Sequence, residues 1–340
     1  MITLNTPTIG REINLKKLQS IDQCRQQFKE IYETYNTSKF KNKKFNCIDQ
    51  IPHLYSLGLH LEDRNFDDLD WSSDPFLFGY DRWLNVVKSI INASESLQSP
   101  QWNCELTQRA NDLLIEILQS EIFLTTMSSM QRLKDHNTCK MIDRVCGFKA
   151  RHSKLMIVRV DIGFSNPPSE LRIGCNKGHE IFKKSLDQLI KQTRNNYEDS
   201  YLHHEVKFEY AIDRGLHAHL LFLFNGSVVR EDETIGLMIA KNWKSFFPDG
   251  VAWSYNDNNP ARKAQLKPYG LALGVFGDDS PQFVKNVGNA VGYMAKPDYL
   301  LRIAFPGISR AVRSAHIDQH EWAKKMKRPM VQERMRKMGF

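Results

Sequence analysis

Along the first 145 or so residues, apolar side chains recur three and four positions apart. Over residues 106–124, Leu106, Ala110, Leu113, Leu114, Ile117 and Leu118 line one face at the helical period. Residues 21–35 and 81–93 carry the same pattern. Ser72-Ser-Asp-Pro and Ser99-Pro interrupt it, because proline lacks a backbone donor and restricts the residue before it. The segment from about residue 12 to 145 is therefore expected to be mainly helical.

The period changes near residue 150. Residues 154–163 (Lys-Leu-Met-Ile-Val-Arg-Val-Asp-Ile-Gly) are rich in β-branched side chains and predict a strand that Asn166-Pro-Pro-Ser ends. Residues 179–194 return to the helical period. Residues 205–212 (Glu-Val-Lys-Phe-Glu-Tyr-Ala-Ile) alternate and predict a strand, Asp213-Arg-Gly215 is a tight-turn signal, and 216–224 predict a second strand of a hairpin. A helix is expected over 231–246, with Asp232 and Glu233 favourably placed in its first turn. Strands are expected over 251–255 and 270–276, parted by the loop Asn256-Asp-Asn-Asn-Pro260. A helix over 281–296 should stop at Pro297.

The order β-α-β-β-α-β, with a further strand and helix, is that of an α+β, ferredoxin-like (split βαβ) antiparallel sheet. The expectation is helices on one face of that sheet, leaving the other for a site. The chain then divides into a mainly helical N-terminal domain (1–148), a sheet domain (149–318) and a basic C-terminal tail (319–340). For the N-terminal domain a scaffold is the default, with recognition or assembly as the other roles.

Composition narrows the class. The 340 residues suit two domains, and the net charge of +8 favours a polyanionic partner. Six cysteines at irregular spacing, with no Cys-x-x-Cys, suit free thiols better than disulfides or a zinc cluster. The longest apolar runs, such as 220–224, are far too short to span a bilayer, so no membrane role is expected. The first ten residues show no basic region leading into an apolar core, and the expected location is cytoplasmic.

The candidate chemistry centres on His217 and His219. At i and i+2 of a strand both imidazoles project from one face, with Ala218 and Leu220 on the other. Two neutral imidazoles side by side can ligate a divalent metal. An isolated His-x-His is more often an ordinary cross-strand pair, but this one directly follows a hairpin turn within that strand order. Glu209, sharing a face with Lys207 and Ala211, is the candidate third ligand if the register brings it across. Asp161, sharing a face with Arg159 on the first strand, is the next candidate, as ligand or as a group that orients one. On the helix 281–296, Phe283, Val287, Ala290 and Val291 make a core stripe, while Asn289, Tyr293 and Lys296 share another. Tyr293 can serve as a nucleophile if a metal polarises a phosphate, and Lys296 can offset developing charge. The alternative for Tyr293 is a core aromatic with its hydroxyl at the surface. Tyr299 is a weaker candidate.

His-hydrophobic-His followed by a helix with Tyr-x-x-Lys resembles the HUH endonuclease superfamily. The resemblance is closest to its rolling-circle replication initiators of the YagK/YfjJ (inovirus Gp2-type) family. It is carried by 155–162 (Leu-Met-Ile-Val-Arg-Val-Asp-Ile), Phe208-Glu-Tyr, 215–226 (Gly-Leu-His-Ala-His-Leu-Leu-Phe-Leu-Phe-Asn-Gly) and 293–302 (Tyr-Met-Ala-Lys-Pro-Asp-Tyr-Leu-Leu-Arg), and covers roughly residues 150–315. It implies a nickase from a phage, satellite, plasmid or integrated element, acting in a bacterial host cell. His217, His219 and an acid such as Glu209 would hold Mg²⁺ or Mn²⁺. Tyr293 would form a 5′-phosphotyrosine with single-stranded or origin DNA. Ala218 is smaller than the bulky residue usual between the histidines, and only one tyrosine is well placed. With no Gly-x-x-x-x-Gly-Lys-[Ser/Thr] motif, replication would need a separate helicase. The same residues admit a relaxase or transposase of the same chemistry, a metal phosphoesterase using water, and a non-catalytic single-strand binder that stacks bases on sheet aromatics.

Overall fold

The structure is a computed structural model that describes residues 15–62, 74–94, 102–165, 176–211, 214–270, 272–277, 280–296, 298, 300–301, 305 and 311–315. The turn positions 212–213, the prolines at 167, 168 and 297, Tyr299 and the basic tail lie outside these residues. The described residues up to Arg132 form one compact unit and those from Leu133 onward another.

The first unit is helical, as the apolar period predicts. It comprises α1 (Leu15–Phe40), α2 (Ile51–Glu62), α3 (Pro75–Ala93), α4 (Cys104–Gln119) and the beginning of α5 (Glu121–Arg151). Helix α3 starts where the Ser-Ser-Asp-Pro breaker ends. The Asp74 carboxylate accepts from the Phe76 and Leu77 amides, and Pro75 occupies the first turn, where its missing donor costs nothing. The continuous pattern over 106–124 is broken at Ser120. Its hydroxyl donates to the Ile117 carbonyl and accepts from the Phe123 amide, so one side chain serves the end of α4 and the start of α5. The core holds Phe28, Tyr80, Trp83 and Phe123, all fully buried. Both polar aromatics are satisfied: Tyr80 Oη donates to Leu54 O (2.6 Å) and Trp83 Nε1 to Ala110 O (3.2 Å).

The second unit is built on an antiparallel sheet. Its strands are β1 (Leu155–Phe164), β2 (Tyr201–Ala211), β3 (Gly215–Asn225), β4 (Ala252–Asn256), β5 (Gly274–Phe276) and β6 (Val312–Ser314), in the order β4-β1-β3-β2-β6, with β5 also paired to β1. Helices α6 (Asn176–Asn196) and α7 (Asp232–Ser245) follow β1 and β3, and α8 (Pro260–Leu266) and α9 (Pro281–Met294) flank β5. The β2–β3 hairpin turns on Gly215, whose φ of +68° suits glycine. The strand expected over 270–276 shrinks to three residues, because Gly270 (φ +60°) and Gly274 (φ +102°) both leave the extended region. The loop expected at 256–260 leads directly into α8, which Asn259 caps by accepting from the Ala261 amide.

Helices cover both faces of this sheet, which corrects the expectation of helices on one face. Even-numbered positions of β1 to β3 pack against α6 and α7: Phe164 meets Phe182 at 5.3 Å and Trp243 at 5.8 Å between ring centroids, and Phe182 meets Phe208 at 6.0 Å. On the odd-numbered face, Leu155, Ile157, Leu221 and Leu223 form one core with Met141, Ile142, Val145 and Phe148 of α5 and with Phe283, Val287, Val291 and Met294 of α9. Leu221 and Leu223, on the same face of β3 as the two histidines, are therefore buried. The cause is visible in β3 itself, where 216–224 are buried without interruption and the run Leu-Leu-Phe-Leu-Phe is apolar on both faces.

Candidate metal centre

The odd face is closed by α5 and α9 over one half of the sheet, and the polar cluster lies beyond that core. The register aligns two rows across the strands. Tyr255, Asp161, His219 and Lys207 make one; Trp253, Gly163, His217 and Glu209 make the next. The strand pairing thus supplies what sequence left open, a carboxylate facing the histidine pair. Ligating atoms of Glu209, His217 and His219 all lie within 4.8 Å of one another.

Each imidazole is oriented through its Nδ1. His217 Nδ1 lies 2.9 Å from Gly215 O and must donate there, which leaves a lone pair on Nε2. Burial holds the His217 pKa below its usual value, and the neighbouring His219 adds to this, so the ring is neutral. His219 Nδ1 lies 2.8 Å from Asp161 Oδ1 and donates to it. The 3.4 Å approach of Arg159 Nη2 to the same nitrogen is then a contact between two donors drawn to one carboxylate. His219 Nε2 lies 2.9 Å from Glu209 Oε2, and His217 Nε2 lies 3.9 Å from that oxygen. Burial alone would lower the His219 pKa. The charge and hydrogen bond of Asp161 and the bond to Glu209 outweigh it and raise it to about 9, so Nε2 carries a proton that a metal ion would displace. Burial would raise the Glu209 carboxyl, but the His219 hydrogen bond and the nearby positive charges bring it below the ordinary range. Two imidazole nitrogens, each ring held through its Nδ1, and one ionised carboxylate form a donor set that fits a divalent cation.

Asp161 accordingly orients the His219 ring. Arg159 joins it at 3.3 Å and Asp257 at 3.0 Å, and Arg262 joins Asp257 at 3.1 Å, which neutralises the buried acids. Burial works against Arg159 and Asp161, but their opposite charges keep both ionised. Glu205, the other acid on β2, is fully buried and occupied by Arg144, His203 and Ser314.

Helix α9 begins at Ser280, whose hydroxyl accepts from the Phe283 amide, and delivers Tyr293 to the cluster. The Tyr293 ring stands edge-on to His219, 5.1 Å between centroids, and is 38% exposed. Arg159 Cζ and Lys296 Nζ each lie 5.3 Å from its centroid. Burial raises the Tyr293 pKa, and the Glu209 charge raises it further against the opposing effect of Arg159. Lys296 is thus brought to the tyrosine, whereas Asn289 is not. The Asn289 amide donates to Tyr269 O (3.0 Å) and holds the turn before β5, because it sits one helical turn short of the cluster.

Four contributors were not read from sequence. Buried Lys207 donates to Lys296 O (2.5 Å) and ties the end of α9 to β2. The Asp298 carboxylate accepts from the Tyr210 amide (2.8 Å) and the Leu301 amide (3.0 Å), fixing the chain just after α9. Trp253 and Tyr255 place two rings beside the cluster from β4, and their Trp-x-Tyr alternation was the available signal. Comparison of the chain with protein-family models, curated proteins and solved structures finds no match.

Proposed function

We propose that the second unit is an HUH-type nuclease, a metal-dependent enzyme in which Tyr293 nicks and rejoins single-stranded DNA. Its task would be to initiate rolling-circle-type replication of a phage, satellite, plasmid or integrated element. The observation that carries this reading is the Tyr293 ring standing 5.1 Å from His219, whose Nε2 converges with His217 and Glu209. Reading the fold as split βαβ rests on the order β4-β1-β3-β2, with α6 between β1 and β2 and α7 between β3 and β4.

A divalent ion such as Mn²⁺ or Mg²⁺ on His217, His219 and Glu209 would polarise the scissile phosphate. Tyr293, with its raised pKa, keeps its proton until attack. Its Oη then bonds phosphorus as the P–O3′ bond breaks, and the tyrosine proton is made good on the departing 3′ oxygen. The 5′ phosphate stays on Tyr293 and the 3′-OH is free to prime synthesis; attack by a 3′-OH reverses the step and rejoins the strand. Arg159 and Lys296 flank the ring and offset negative charge gathering at the phosphoryl oxygens.

The test is incubation of the full chain with Mn²⁺ and 3′-labelled single-stranded DNA of randomised sequence, followed by a denaturing gel. The expected result is label retained on the protein, abolished by EDTA and by Tyr293→Phe. Cleavage that survives Tyr293→Phe would replace this reading with a water-using phosphoesterase. Relaxase and transposase share the step, and the DNA partner alone separates them.

A further inference from the structure

Strand β4 is the last in the order on its side of the sheet, beside β1. Its even positions are fastened to α7: Ser254 Oγ donates to Ala240 O (3.1 Å), and Asn256 Nδ2 donates to Glu233 O (2.9 Å). Its odd positions must therefore project to the face that carries the histidines. Trp253 falls opposite Gly163 and Tyr255 opposite Asp161. Gly163 is what allows the tryptophan to lie there, since a Cβ at that position would stand 2.5 Å from Trp253 ring atoms. The result is a line of rings. Centroid separations between successive rings are 5.1 Å for Tyr293 and His219, 5.2 Å for His219 and His217, 5.9 Å for His217 and Trp253, and 6.4 Å for Trp253 and Tyr255.

Tyr255 is 63% exposed. A large aromatic left this open keeps its ring accessible to a ligand. The ligand must offer flat apolar faces next to whatever the cluster binds. The +8 charge of the chain favours a polyanion. An unpaired nucleic-acid strand meets both demands, whereas a duplex keeps its base faces stacked inside.

We propose that Trp253 and Tyr255 form a stacking platform for unpaired bases of single-stranded DNA, which seats the strand across the β4 edge beside the metal cluster. The position of the phosphate at that cluster rests on the function proposed above; the stacking itself does not require it. Selection of single strand over duplex then comes from the platform.

The experiment measures fluorescence anisotropy of labelled oligothymidylate with the full chain in EDTA, so that metal plays no part. Tyr255→Ala is expected to weaken binding between about fivefold and about a hundredfold, the range for one stacked base. Tyr255→Phe should restore it, and Tyr255→Leu, which keeps apolar bulk without a π face, should not. An abasic strand of equal length should bind wild type as weakly as oligothymidylate binds Tyr255→Ala. Equal affinity of wild type and Tyr255→Ala, or of the abasic and thymidine strands, overturns the platform. The adduct assay keeps the two ideas apart. Stack-dependent binding without any adduct leaves the platform standing and removes the nuclease, while an adduct with unchanged Tyr255→Ala affinity does the reverse.

Discussion

Asp161 and His219 face each other across β1 and β3, and the Asp161 carboxylate holds His219 Nδ1 at 2.8 Å while Nε2 turns towards Glu209. A carboxylate behind a ligating imidazole fixes its tautomer and raises its basicity. Asp161→Asn keeps the shape and loses the charge. Its affinity for Mn²⁺ should fall about ten- to a hundredfold by titration calorimetry. Glu209→Gln, which alters a ligand, should cost more. The reverse order would make Asp161 the third ligand.

The donor set also ranks metals. Imidazole nitrogen prefers later first-row ions, and Mg²⁺ prefers oxygen and its own water. Wild type should therefore bind Mn²⁺ more tightly than Mg²⁺, and His217→Ala should narrow that gap. Competition calorimetry checks it, and a preference for Mg²⁺ would argue for a site built on other acids.

Asn289 serves the turn before β5 rather than the cluster. Asn289→Ala should leave adduct yield unchanged and lower stability by about 0.5–1.5 kcal/mol, the contribution of one hydrogen bond. Adduct yield and a urea melt read the two effects separately.

Gly163 leaves room for Trp253. Gly163→Ala should push the indole aside and destabilise the chain by about 1–3 kcal/mol, the usual cost of overpacking. A variant as stable as wild type in denaturant would show that the ring moves freely.

His204 gives a dependence on pH. Burial first, and then the charge of His203, hold its pKa down to about 4 against the opposing charge of Glu205. The unfolded chain, with a pKa of about 6.5, binds this proton more readily than the folded chain. The stabilisation is therefore complete above about pH 6.5 and is lost as pH falls through the window down to about 4. Denaturation midpoints should drop across that window, and His204→Gln, which cannot take up the proton, should flatten the drop.

Much of this architecture could be read without coordinates, because backbone periodicity is local. The 3.6-residue period announces the N-terminal helices, Ser72-Ser-Asp-Pro announces a break between them, and Gly215 announces the hairpin. That His217 and His219 share a face follows from the pleat alone, and so does the opposed placement of Ala218. Tyr293 and Lys296 share a stripe for the same reason, one turn apart.

What periodicity could not supply is anything set by pairing between distant segments. A shift of one residue between β2 and β3 would turn Glu209 away from the histidines, and a turn signal in sequence does not by itself say which register the hairpin adopts. Asp161 becomes an orienting group only because β1 lies beside β3. Asn289 satisfied the helical stripe yet sits a turn too early, where the nearest polar partner is a loop carbonyl. Coverage of the odd face by α5 and α9, and the arrival of Trp253 and Tyr255 beside the cluster, depend on which helices and strands meet across the sheet and not on their neighbours along the chain. Local sequence chose the elements and the two histidines; the packing of the sheet chose the acid, the tyrosine's approach and the rings around them.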